Sequence, residues 1–71
     1  MDSQVITVSI NGALRTITES CNVAALLAEL GFTGKRIALE LNGEIVPRGR
    51  YVTQTLAEGD KLEVVVAVGG G

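Results

Sequence analysis

The chain has little of what small proteins use for covalent or metal-based stabilisation. Among its 71 residues there is one cysteine, Cys21, and no histidine. A single thiol cannot form an internal disulfide, and the common zinc ligand sets lack their histidine. We therefore expect no metal site. A chain of this length buries only about 60% of its unfolded surface, so packing alone must supply a modest stability.

Aromatic residues are scarce and basic stripes and long apolar runs are missing, and each of these features argues against a class of partner. The only aromatic residues are Phe32 and Tyr51, and the formal net charge is −2. Neither a base-stacking platform nor a phosphate-neutralising surface is expected. No apolar run approaches the roughly 20 residues of a membrane span, and no signal peptide is evident. These features predict a cytoplasmic protein that binds neither nucleic acid nor membranes.

The side chains of familiar catalytic centres are absent as well. Without histidine, the common serine or cysteine nucleophile–base pairs cannot form, and no carboxylates are paired by local spacing. Cys21 precedes a predicted helix, where a thiol pKa can fall, but we favour a half-buried structural role for it. The chain is therefore expected not to be an enzyme.

What the chain does contain is a clear strand pattern, in which apolar and polar residues alternate. Asn11-Gly12 and Asn42-Gly43 suit tight hairpin turns, and a further turn is expected at Glu58-Gly59-Asp60. Pro47 should confine the strand before it to a sheet edge. The weakly patterned residues 49–56 predict turns or a short strand. The predicted strands are residues 4–10, 14–18, 37–41, 44–46 and 61–68.

One helix is predicted between the second and third strands. Val23, Leu26, Leu27 and Leu30 form a single apolar stripe over two turns. Asn22, or Ser20 if the helix begins earlier, is the expected N-cap, and Gly31 suits the left-handed residue that ends a helix.

This order of elements predicts an α+β fold. A four- or five-stranded mixed sheet would carry one main helix packed on one face, with the first and last strands central and parallel. That is the β-grasp, or ubiquitin-like, arrangement. We expect residues 1–68 to form the domain and residues 69–71 to form a flexible glycine tail.

The tail is the candidate functional feature. Gly69 and Gly70 carry no side chains and could enter a narrow partner site, presenting the carboxylate of Gly71. An ATP-dependent partner could adenylate that carboxylate, and a sulfur nucleophile could displace AMP to leave a thiocarboxylate. Val65 and Ala67, on the sheet face away from the helix, are a candidate docking surface. For the tail, the alternative is a chain end without a function. For Val65 and Ala67, the alternative is a central strand that is simply apolar on both faces.

The chain resembles the ThiS sulfur carriers of thiamine biosynthesis. The likeness rests on Leu41-Asn42-Gly43-Glu44-Ile45-Val46-Pro47-Arg48, on Glu58-Gly59-Asp60 and on Val68-Gly69-Gly70-Gly71, in that order and spacing. The resemblance implies adenylation of Gly71 by a ThiF-type enzyme, sulfur from a cysteine desulfurase, and delivery to the thiazole synthase ThiG. It also implies a monomer without a cofactor of its own, since the activating partner uses the ATP.

Three other functions stay open from the sequence. The small subunit of molybdopterin synthase is a sulfur carrier of the same fold, but its members are usually longer and often have proline just before the last glycines. A ubiquitin-like modifier would join its tail to lysines. An inert binding module would not use the tail at all.

Overall fold

The structure is a computed structural model that describes residues 4–67. Each predicted strand is present, with bounds that differ from the prediction by at most two residues. Val68, the predicted end of the last strand, lies outside the described residues, as does the predicted domain boundary after it. The elements are β1 (Val5–Ile10), β2 (Ala13–Thr18), α1 (Val23–Glu29), β3 (Ile37–Leu41), β4 (Glu44–Val46), a 3₁₀ turn (Arg48–Arg50) and β5 (Lys61–Val66).

The strands form one mixed sheet of five, in the order β2-β1-β5-β3-β4. β1 and β5 are parallel neighbours at the centre, and the other pairs are antiparallel. The predicted β-grasp arrangement is therefore confirmed. β4 lies at the sheet edge, as Pro47 directly after it predicts.

The helix begins and ends where its capping residues predict. The Oδ1 atom of Asn22 accepts a 2.8 Å hydrogen bond from the amide of Ala25. At the other end Gly31 has a φ of +87°, and the amide of Phe32 donates to the carbonyl of Leu27 at 2.9 Å. This is the glycine-ended Schellman arrangement, so short-range chemistry sets both ends of α1.

A single core lies between α1 and one face of the sheet. The five largest fully buried side chains come from β1, α1, β3 and β5, which shows that the helix covers the central strands. Burying each such side chain contributes about 1.5–3 kcal/mol. They are Val8, Val23, Leu26, Leu39 and Leu62.

The weakly patterned segment before β5 covers the start of the helix. It contains the 3₁₀ turn and an isolated bridge between Thr55 and Asn22. The amide of Val23 donates to the carbonyl of Gln54 at 3.0 Å, and that of Ala24 to the carbonyl of Tyr51 at 2.9 Å. Two first-turn amides of the helix are thus satisfied by this segment. Over residues 4–67, no helix has both the length and the apolar character needed to cross a bilayer.

Candidate functional site: the strand that leads to the glycine tail

The predicted reactive position, Gly71, and the predicted approach, Gly69 and Gly70, lie outside the described residues. The structure does describe the strand that precedes them. Val65 is 64% exposed, on the sheet face opposite the helix, and Ala67 is also exposed. Both candidate docking residues are therefore accessible to a partner.

β5 is held along its β3 edge up to the last described residue. Val65 pairs with Ala38 in the antiparallel ladder. The amide of Ala67 then donates to the carbonyl of Arg36 at 2.8 Å, one residue beyond the strand. The chain is thus in strand-like pairing up to four positions before Gly71.

The other edge of β5 is held by a side chain as well as by a strand. Parallel pairing with β1 covers only Lys61 and Leu62. Farther along, Oδ1 of Asn11 accepts from the amide of Val64 at 2.7 Å, and its Nδ2 donates to the carbonyl of the same residue at 3.2 Å. The Asn11 amide thereby makes the two bonds that a further peptide unit would make. The sequence predicted Asn11 only as a turn residue.

A second asparagine fixes the beginning of β5. Oδ1 of Asn42 accepts from the amide of Lys61 at 2.9 Å, and Nδ2 of Asn42 donates to Oδ1 of Asp60 at 3.0 Å. The other carboxylate oxygen of Asp60 accepts from the amide of Ala57 at 2.8 Å. This network ties the turn before β5 to the hairpin between β3 and β4. No local signal distinguishes this role from that of an ordinary turn asparagine.

The sheet face opposite the helix combines apolar and acidic side chains near β5. Val65 lies beside Ala38, and Glu40 and Glu63 face each other in register across the same two strands. Ile45, paired with Glu40, is 63% exposed. Like charges directly opposite each other are unfavourable in a sheet, so this face is not optimised for the stability of the free chain.

Cys21 lies at the helix entry, half-buried, with Sγ 3.4 Å from the carbonyl oxygen of Asn22. Burial, and secondarily the negative charge of Glu29, raises the pKa of the thiol. A raised pKa is the reverse of what an activated cysteine nucleophile needs. This environment agrees with the structural role favoured from the sequence. Among residues 4–67, no group of three or more acidic or cysteine side chains is placed to hold a metal ion.

Comparison with known proteins assigns the chain to a family. The model of the ThiS family matches residues 8–71, which include the end of β1, the whole of β5 and all three tail glycines. The chain belongs to the ThiS family. A crystal structure of the thiamine biosynthesis protein ThiS from Geobacter metallireducens is similar to this ThiS-family chain, with a TM-score of 0.78 and 33% identity. The similarity covers 93% of this chain and 100% of that one.

Three further relatives show the contexts in which a similar sequence occurs. Protein ycf40 of Porphyra purpurea is 32% identical over 71 residues, which is the whole length of both chains. A thiazole synthase from Paramagnetospirillum magneticum is 47% identical over 62 residues, which cover 87% of this ThiS-family chain but 19% of that protein. The chain likewise spans 20% of a thiazole synthase from Magnetococcus marinus.

Proposed function

We propose that this chain is a cytoplasmic sulfur carrier for the biosynthesis of the thiazole part of thiamine. The observation that carries the proposal is the family match, which continues through the tail to Gly71. The β-grasp fold and the similarity to a thiamine biosynthesis protein support it. The finer chemistry at Gly71 and the identity of the partners are part of the proposal.

The proposed chemistry takes place on the carboxyl group of Gly71, in the active site of an ATP-dependent ThiF-type enzyme. A carboxylate oxygen attacks the α-phosphorus of ATP, pyrophosphate leaves, and an acyl-adenylate results. A sulfur nucleophile then attacks the carbonyl carbon, and AMP leaves with the bonding electron pair. Hydrosulfide would give the thiocarboxylate directly. A persulfide derived from a cysteine desulfurase would give an acyl disulfide, whose S–S bond a thiol must then reduce.

The folded domain contributes position rather than reactive groups. β5 is paired to β3 up to Ala67, and Asn11 secures its other edge at Val64. A rigid strand that ends close to the glycines gives the partner a fixed starting point, while glycine permits dihedral angles that other residues rarely adopt. The partner can then draw the carboxyl group into a narrow site without displacing the domain.

The proposed acceptor of the sulfur is a thiazole synthase of the ThiG type. In two relatives named thiazole synthase, a segment similar to this chain makes up about a fifth of the protein. A domain of this kind that occurs in one polypeptide with a thiazole synthase supports the proposal that the present chain works beside such an enzyme.

Intact-protein mass spectrometry tests the proposed function. The chain would be incubated with ATP, a ThiF-type enzyme, a cysteine desulfurase, cysteine and a reducing thiol. We expect a product in which one oxygen is replaced by sulfur, and no such product from a chain that lacks Gly71. Failure of the intact chain to form the product, with an authentic ThiS as positive control, would contradict the proposal.

Genetic complementation separates the thiamine function from the alternatives. A strain that needs thiazole should grow when this chain is supplied, and the variant without Gly71 should not support growth. Rescue of molybdoenzyme activity without rescue of thiazole synthesis would instead favour the molybdopterin pathway. Covalent ladders on larger proteins would favour a ubiquitin-like modifier.

A further inference from the structure

The main chain of β5 alternates between its two edges. The odd-numbered residues Val65 and Ala67 make their hydrogen bonds on the β3 side. The even-numbered residues point to the β1 side, where the carbonyl of Leu62 accepts from the amide of Asn11 at 2.9 Å. Val64 is bonded there by the Asn11 side chain at both its amide and its carbonyl. The next residue on this edge is Val66.

Val66 is the first position of β5 at which the β1 edge is open. Within residues 4–67, neither its amide nor its carbonyl has a hydrogen-bond partner on that side, because β1 pairing ends at Leu62 and the Asn11 side chain at Val64. The Val66 side chain is 37% exposed. Position 12 in the β1–β2 turn is also uncrowded, since a Cβ atom there would meet nothing within 4 Å. Unpaired main-chain groups of this kind are a template for strand addition.

We propose that the open edge at Val66, bounded by the Asn11 side chain, is a strand-addition site for the ThiF-type enzyme that adenylates the tail. The occupant is an extended segment of that enzyme, which pairs with the main chain of β5. This inference rests on the proposed carrier function. It names a second part of the carrier, besides the carboxyl group, that the enzyme recognises.

The composition of the tail favours main-chain recognition. Gly69, Gly70 and Gly71 present no side chains, so apart from the carboxyl group a partner can bind only peptide N–H and C=O groups. In strand addition, main-chain hydrogen bonds supply affinity and neighbouring pockets supply specificity. An enzyme strand that begins its pairing at Val66 would already be aligned with the chain that continues into the glycines.

A second copy of this chain is the other occupant that the edge could accept. Pairing of two such edges would place only a few residues of each β5 opposite one another, and isolated two-stranded pairings are marginal in water. The enzyme, in contrast, also binds the carboxyl group of the tail, so pairing at this edge would be one part of a larger contact. We therefore assign the edge to the enzyme, and self-association becomes an outcome of the test.

Hydrogen exchange at single amides tests the assignment. Exchange would be followed by NMR for the carrier alone and for the carrier with a ThiF-type enzyme and ATP. We expect the Val66 amide to exchange rapidly in the free chain and about tenfold more slowly in the complex, since a new main-chain hydrogen bond must open first. The Val65 amide, already bonded to β3, should be protected in both samples and serves as the internal control.

Two results would overturn the inference. One is an unprotected Val66 amide in a sample whose mass spectrum shows that Gly71 has been adenylated, which would leave the proposed function intact. The other is protection that rises with carrier concentration in the absence of enzyme, which would assign the edge to a second copy. If Gly71 is never adenylated, the proposed function itself has failed, so the two failures are distinguishable.

A pair of variants at one position separates the amide from the side chain. Val66→Pro removes the N–H on the open edge but no bond to β3, whereas Val66→Ala removes side-chain atoms and keeps the N–H. We expect the proline variant to bind the enzyme about tenfold more weakly than the alanine variant, which corresponds to one lost main-chain hydrogen bond. Equal affinities of two folded variants would contradict the inference. Should the proline variant not fold, the exchange measurement on the unaltered chain decides.

Discussion

The two Asn-Gly hairpin turns have nearly the same backbone and different tertiary roles. Their φ angles are 51° and 86° at Asn11-Gly12, and 52° and 87° at Asn42-Gly43. Both asparagines direct their side chains at β5, from opposite edges. Asn11 bonds the amide and the carbonyl of Val64 in a partly buried setting, whereas Asn42 makes exposed bonds to the amide of Lys61 and the carboxylate of Asp60.

The difference teaches that one dipeptide can satisfy a local and a long-range requirement together. The positive φ suits a two-residue turn between twisted strands, and asparagine tolerates it better than most residues do. The side-chain amide then carries a donor and an acceptor to the neighbouring strand. At Asn11 this fixes the tail-side half of β5, and at Asn42 it fixes the beginning.

Removal of the Asn11 side chain is expected to give the largest effect. Asn11→Ala loses both bonds to Val64 and puts alanine, which tolerates the left-handed region less well than asparagine, at a positive φ, with a total cost of about 3 kcal/mol. Asn42→Ala should cost less, about 2 kcal/mol, because the exposed partners of Asn42 can form hydrogen bonds with water instead. Urea unfolding of both variants measures the difference. Equal or reversed losses would contradict the ranking.

Glycine at the same positions isolates the side-chain bonds, since glycine accepts the positive φ. We expect the free energy of unfolding to fall by about 1–2 kcal/mol for Asn11→Gly and by about 0.5–1 kcal/mol for Asn42→Gly. Amide exchange should locate the two effects, with faster exchange at Val64 in the first variant and at Lys61 in the second. If both amides respond alike in both variants, the asparagines act through the turns and not through β5.

A double-mutant cycle with Asp60 tests whether Asn11 and Asn42 stabilise β5 independently of each other. Asp60→Ala removes the acceptor for Asn42 and for the amide of Ala57, at an expected cost of about 1 kcal/mol. Combined with Asn42→Gly, the losses should be less than additive because the two residues share a hydrogen bond. Combined with Asn11→Gly, they should add to within about 0.5 kcal/mol. Urea unfolding gives the free energy of unfolding of all five variants. Coupling between Asn11 and Asp60 would show that the two asparagines belong to one network.

The smallest effect is expected at Cys21. Its hydrogen bonds go to Thr18 and Asn22, so its titration should not depend on the side chains of Asn11 and Asn42. Its raised pKa means that folding favours the neutral thiol. The resulting stability is present below the ordinary thiol pKa and is lost as pH rises through the higher folded value. Thiolate absorbance against pH should show a midpoint above that of the unfolded chain, with Cys21→Ser as blank. A midpoint below it would indicate an activated thiol.

Much of the fold was predictable because its signals are local. Each of these signals depends on a few neighbouring residues. They are the alternation in β1, β3 and β5, the two Asn-Gly turns, the Asn22 cap and the Gly31 terminus. The central, parallel placement of β1 and β5 also followed, from their strongly apolar sequences and from the rules for connections between strands. Residues 49–56 do form the predicted turns, but their bonds to the helix start and the burial of Leu56 could not be predicted, because those contacts are long-range.

The candidate site divides in the same way. Val65 and Ala67 were assigned to the exposed sheet face from alternation alone, and Val65 is 64% exposed there. The hydrogen bonds from the Asn11 side chain to Val64 and the open edge at Val66 could not be predicted. Asn11 and Val64 are 53 positions apart, and only the stagger of β5 past the end of β1 brings the side chain to that peptide.

The sequence by itself determined the period of each strand, the ends of the helix, the turn types and the presence of a glycine tail, since these depend on short-range sterics and hydrogen bonding. Only the tertiary structure decided how far β5 extends beyond its parallel neighbour, which amide groups a side chain satisfies, and where the edge opens. Those properties arise from the register between strands distant in sequence, which is set by the packing of the whole core.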